Sequence, residues 1–89
     1  MNITFDPQKN LINMSKHLGI SLHQAKDFEW ETAVVWQDFR LEYEEPRMVA
    51  LDYICNRLHV MVYVQRESLC RVISLRKANK REEARYAET

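Results

Sequence analysis

The sequence predicts an α+β domain with a short N-terminal strand, two helices, an antiparallel β-meander and a C-terminal helix. Three observations predict it. Leu58, Val60, Val62 and Val64 alternate with His59, Met61 and Tyr63, a period-two pattern that marks a strand. Two helix-start signals, Asp6-Pro7 and Ser21 with Gln24, stand upstream. A third, Asn79, opens a run rich in Lys, Arg and Glu that reaches Tyr86.

Taken in order, Ile3 to Phe5 reads as the first strand. Asp6 suits a helix N-cap, and Pro7 suits the first helical position, where its missing N–H is harmless. Leu11, Ile12, Met14 and Leu18 give that helix an approximate apolar face. Gly19 is the single glycine and falls where the helix should stop, the place for a left-handed C-cap residue. Ser21 and Gln24 read as a capping box for a second helix that turns Ala25 and Phe28 inward and fades near Trp30. Strands follow at Ala33–Trp36, Arg47–Tyr53, Leu58–Val64 and Leu69–Leu75. Cys55-Asn56 and Glu67-Ser68 are the expected turns.

The 89 residues fit one domain, 1–89, with a modest core, so a catalytic surface or open groove is easier to build than an enclosed site. Hydrophobic residues at 46% and charged residues at 29% exclude a disordered chain. No apolar run approaches the roughly 20 residues of a membrane span. The start MNITFDPQKN lacks the pattern of a signal peptide. Cys55 and Cys70 therefore read as free thiols of a cytoplasmic protein. Net charge is zero, but the charges are segregated: mostly acidic from Asp27 to Asp52 and mostly basic from Arg57 to Arg85. That asymmetry fits either a basic face for a polyanion or two halves that neutralise each other.

Strand alternation places Arg71, Ile73 and Leu75 on one face of the last strand and Cys70, Val72 and Ser74 on the other. An arginine inside an apolar strand needs a carboxylate, with Glu45 and Glu67 as candidates, or a solvated groove that would suit phosphate. Arg76 and Lys77 should point in opposite directions at the strand exit. His17, beside Lys16, could transfer protons near neutral pH or serve as a cation at a helix C-terminus. His23 and His59 read as structural, and so do most of the aromatics, some of which could stack on bases. A phosphate loop, a serine elbow and a metal-ligand cluster are all missing, so neither metal nor cofactor is expected. RNA can be cleaved without a metal, because its 2′-hydroxyl is a built-in nucleophile.

The stretch from Arg71 through Ile73-Ser74, Arg76-Lys77-Ala78 and Glu82 to Arg85-Tyr86 resembles the C-terminal signature of the BrnT toxin family. Phe5-Asp6-Pro7 and Lys16-His17-Leu18-Gly19 resemble its opening. Phe28-Glu29-Trp30 resembles the following segment, and Asp38, Arg40, Tyr43, Glu45 and Arg47 its central stretch. Arg57-Leu58-His59 and Arg66 resemble its central hairpin. Glu44, Asp52 and Ser68 stand where the family carries glycine.

The resemblance implies a RelE-like fold and metal-independent endoribonuclease activity that inhibits translation and growth. It also implies a BrnA-like ribbon-helix-helix antitoxin, with a heterotetramer built on an antitoxin dimer as one possible assembly. On that reading Arg71 and Arg76 hold the scissile phosphate, Lys16 or His17 assists proton transfer, and Glu45 orients an arginine or acts as a base. Arg40, Lys77, Lys80 and Arg81 bind the RNA backbone. Two alternatives are a catalytically degenerate antitoxin-binding module, which the replaced glycines would suggest, and a plain RNA-binding domain.

Overall fold

The computed structural model describes residues 2–89. The elements run β1 (Asn2–Thr4), α1 (Pro7–Lys16), a 3₁₀ helix (Leu22–Asp27), β2 (Val34–Gln37), β3 (Met48–Ile54), β4 (Arg57–Arg66), β5 (Leu69–Lys77) and α2 (Lys80–Ala87). The strands form one mixed sheet in the order β1-β5-β4-β3-β2. Strands β2 to β5 are the expected antiparallel meander, and β1 joins parallel to β5 through Asn2 to Thr4 opposite Leu69 to Arg71. The turns fall at the residues the sequence marks, with Cys55 at φ 55° and Glu67 at φ 51°. Glu44, Asp52 and Ser68 are not among the positive-φ residues, so none of the three occupies a backbone conformation that calls for glycine.

The second helix of the sequence reading is a single 3₁₀ segment. Leu22, Ala25 and Phe28 recur every third residue, and three residues per turn stack them on one side, where all are buried. The Ser21 hydroxyl accepts from the His23 amide at 3.2 Å rather than completing a box with Gln24. The segment is tethered to α1 instead: Asn10 Oδ1 accepts from the Leu22 amide at 2.7 Å and from the Ser21 hydroxyl at 3.2 Å. A reciprocal capping box does occur at α2, between Asn79 and Glu82.

Helix α1 is turned opposite to expectation. Leu11, Ile12, Met14 and Leu18 are exposed, and the helix's buried residue is Asn13. The reason lies at the sheet edge. Strand β1 covers β5 only as far as Arg71, which leaves the backbone of β5 unpaired beyond it. The Asn13 amide fills that gap by donating to the Leu75 carbonyl at 2.8 Å and accepting from the Leu75 amide at 3.0 Å. It also donates to the Ile20 carbonyl at 2.9 Å. A buried strand edge needs a polar partner more than an apolar one. Leu18 and Gly19, at φ 55° and 79°, then carry the chain out of the helix.

The two faces of the sheet are covered unequally. One packs Ala50, Ile54, Met61, Tyr63, Cys70, Val72 and Leu75 beneath Ile20 and the 3₁₀ helix. On the other, α2 reaches only one end, where Tyr86 packs with Leu51, Leu58, Val60 and Ala78. Tyr86 is fixed there by donating to Asp52 Oδ1 at 2.9 Å, and Thr32 donates to the other oxygen of the same buried carboxylate. The rest of this second face, around Val62, Ile73 and Ser74, lies open.

A β-bulge decides which side chains reach the open part. Val62 pairs with Ser74 but Tyr63 pairs with Val72, so Ile73 is an extra residue in β5. In a regular strand Arg71 and Arg76, five residues apart, would face opposite ways. The bulge shifts the alternation by one, and Arg71, Ile73, Ser74 and Arg76 all line clefts on the open face while Leu75 turns into the core. This corrects the expectation that Ser74 shares a face with Cys70 and Val72 and that Leu75 shares one with Arg71.

Candidate active site

The loop between β2 and β3 frames the open face, and one carboxylate organises it. Asp38 is almost fully buried. Its oxygens accept from the Arg40 amide at 3.0 Å, from Arg40 Nε and a terminal guanidinium nitrogen at 2.9 Å each, and from the Tyr43 hydroxyl at 3.1 Å. The Arg40 fork holds the Asp38 carboxyl far below the usual carboxylate range, so it stays ionised. The Asp38 amide donates to the Arg47 carbonyl at 2.8 Å and closes the base of the loop. The Arg47 guanidinium lies 4.4 Å above the Tyr43 ring.

Between this loop and α1 runs a cleft of about 300 Å³. Lys9, Lys16 and His17 enter from α1 and its end, Arg40, Tyr43 and Arg47 from the loop, and Ile73 and Ser74 from β5. Four cations thus face one carboxylate that is already committed to Arg40. An anion is the ligand such a site favours.

The His17 imidazole has its pKa lowered, first by burial and then by the charges of Arg76 and Lys16. Both effects favour the neutral ring, the form that can accept a proton. The His17 amide caps α1 by donating to the Asn13 carbonyl at 2.9 Å.

Arg71 lies in the adjoining depression, where Lys9, Arg47 and Arg66 are joined by the carboxylates of Glu44 and Glu45. The expected pairing of Arg71 with Glu45 or Glu67 is not formed. Glu45 is held instead by both arms of Arg66, at 2.9 and 2.5 Å, which lowers its pKa and makes it a weak base. Among the described residues Arg71 makes no direct ion pair, although its charge helps to lower the Glu45 pKa. Arg76 lies on the far side of Ser74, in a third cleft, where Glu82 takes its fork at 2.8 and 2.7 Å.

A family model described as the ribonuclease toxin BrnT of type II toxin–antitoxin systems matches residues 5–82. The chain belongs to the BrnT family. No match was found among curated proteins. As a BrnT protein it is a ribonuclease toxin of a toxin–antitoxin system, with an antitoxin partner. The match includes every residue of the open face described above and ends at Glu82, the residue that holds Arg76.

Of the residues singled out from the sequence, Lys16, His17, Arg40, Arg71 and Arg76 come together on this face, and Glu45 lies at its rim. Lys77, Lys80 and Arg81 do not. Lys77 lies opposite His59 across the strand pair, and Lys80 and Arg81 are exposed on the first turn of α2; none of them lines a cleft of the open face. Lys9, Arg47 and Ser74 line the clefts without having been given a site role from the sequence. The Asp38, Arg40, Tyr43, Arg47 stretch carried a signal for Arg47. Ser74 stood in the C-terminal signature, but its face depends on the bulge.

Proposed function

We propose that this BrnT protein is a metal-independent endoribonuclease that cleaves RNA by transfer to the adjacent 2′-hydroxyl. The observation that carries this reading is the His17 imidazole in a cleft that it shares with Lys9, Lys16, Arg40, Arg47 and the Tyr43 phenol, where the one carboxylate, Asp38, is already held by Arg40. His17 accepts the 2′-hydroxyl proton as O2′ bonds to phosphorus. The P–O5′ bond breaks, and the 5′ oxygen leaves with a proton from Lys16 or from solvent. The products are a 2′,3′-cyclic phosphate and a 5′-hydroxyl. Arg71 and Arg76 neutralise charge that develops on the phosphorane oxygens, the kind of stabilisation worth about 10²–10³ in rate per donor. Glu45 positions Arg66 at the rim, and Arg40 contacts the RNA backbone with the guanidinium edge that Asp38 leaves free. Lys77, Lys80 and Arg81 extend the basic surface toward more distant phosphates.

The same reading places the protein in the cytoplasm as a single RelE-like domain over 1–89 that slows translation. Its antitoxin is a ribbon-helix-helix protein of the BrnA type, bound as a heterotetramer around an antitoxin dimer. No helix of the described residues is long and apolar enough to cross a membrane.

The test is cleavage of a short RNA by the purified chain in chelator. Loss of cleavage in His17→Gln and Arg71→Ala, with cyclic phosphate ends from the wild type, is the expected result. Cleavage that requires an added divalent ion, or 3′-hydroxyl ends, would overturn the mechanism.

A further inference from the structure

The largest groove on the open face is the one His17 and Lys16 do not enter. It measures about 670 Å³, within the ordinary range for a ligand site. Its lining differs in kind from that of the basic cleft. Val49, Val60 and Val62 bring apolar surface, Trp36 and Phe39 are aromatic, and Gln37 offers an amide. The two clefts share Asp38, Arg40, Val62 and Ser74, so they adjoin.

Phe39 is 79% exposed, which packing cannot explain. Its immediate neighbours Asp38 and Arg40 are tied to each other by three hydrogen bonds, so the segment that carries the ring is fixed. Trp36 has one face taken by the Arg85 guanidinium, at 4.0 Å. Phe39 is thus the uncommitted ring at the groove. Arg76 lies in the same groove, with Glu82 as its internal counter-ion.

We propose that this groove is a nucleobase subsite, in which the base of a nucleotide adjoining the scissile phosphate stacks on Phe39. The pairing of a basic cleft with an apolar, aromatic one matches the two halves of a nucleotide, and their shared wall matches the connection between them. Gln37 is the polar edge that reads the base. The subsite rests on the ribonuclease reading for its substrate, but it can fail independently of it.

Two measurements separate these outcomes. In steady-state cleavage of a short RNA, Phe39→Ala raises KM about ten-fold or more, the scale of losing one base–aromatic stack, and leaves kcat nearly unchanged. Phe39→Tyr restores KM. Independently of cleavage, nucleoside monophosphates quench tryptophan emission and ribose 5-phosphate does not. Trp36→Phe removes that response, because Trp30 sits on the opposite face against Phe28 and Tyr63. An unchanged KM and cleavage pattern in Phe39→Ala would overturn the subsite while leaving the ribonuclease reading intact. Equal quenching by ribose 5-phosphate would do the same. If the wild type cleaves no RNA but nucleotides still quench Trp36, the subsite stands and the ribonuclease mechanism falls.

Discussion

The two faces of the sheet use alternate residues of the same strands and have opposite characters. On the covered face, Cys70, Val72, Leu75 and Met61 are sealed beneath the 3₁₀ helix. On the open face, Arg71, Ser74 and Arg76 share the same strand with Ile73 but line clefts. One face is packed beneath the 3₁₀ helix, the other is packed only at its α2 end, and a single extra residue in β5 determines which side chain belongs to which. Small domains have little interior to spare for a site. Leaving part of one face uncovered provides clefts without hollowing the core.

The sharpest way to break this comparison is to truncate one residue from each face. Leu75→Ala should cost about 2–5 kcal/mol in urea denaturation, as for any large-to-small change in a packed core. Arg71→Ala should do the reverse. Cleavage should fall about 100-fold or more, with stability within roughly 0.5 kcal/mol of wild type. If Arg71→Ala unfolds the protein, the arginine is a structural element and the division between faces is wrong.

Asn13 tests the boundary between the faces. Asn13→Ala leaves the Leu75 amide and carbonyl without their partner, and a stability loss of about 1–3 kcal/mol is expected in the same assay. A smaller effect follows from His17. With its imidazole pKa lowered below 6.5, the cleavage rate should rise with pH through that lowered value and level off above it. In His17→Gln the residual rate should lose that limb. Smallest of all, Leu18→Ser at the exposed end of α1 should change stability by no more than about 0.5 kcal/mol, whereas an inward-facing helix would have made it costly.

Much of this fold was legible in the sequence. Period-two alternation marked β4, and the Cys55-Asn56 and Glu67-Ser68 turns bounded it. Asp6 and Asn79 marked helix starts by local chemistry that no tertiary contact overrides, while Gly19 takes its left-handed φ two residues beyond the actual cap, His17, with Leu18 already left-handed before it. Two features were hidden for the same reason. The orientation of α1 depends on an unpaired edge of β5, where Leu75 lies 62 residues beyond Asn13 along the chain. The shared face of Arg71 and Arg76 depends on a bulge for which no single residue is diagnostic. Both are properties of strand pairing, which periodicity within one segment does not encode. The clefts of the open face were therefore readable as a set of residue types, with Lys16, His17, Arg71 and Arg76 among them, but not as a geometry. Lys77, Lys80 and Arg81 lie outside the clefts of the open face, a placement that their charge alone did not reveal.

The most direct test of the central claim is an NMR titration with a short RNA made non-cleavable by a 2′-deoxy substitution. The side-chain Nε–H signals of Arg71 and Arg76 should shift together with the Ser74 amide, while the amides of Cys70, Val72 and Leu75 stay in place. A response from only one of the two arginines, or one confined to Lys77, Lys80 and Arg81, would contradict a single RNA-binding face built by the bulge.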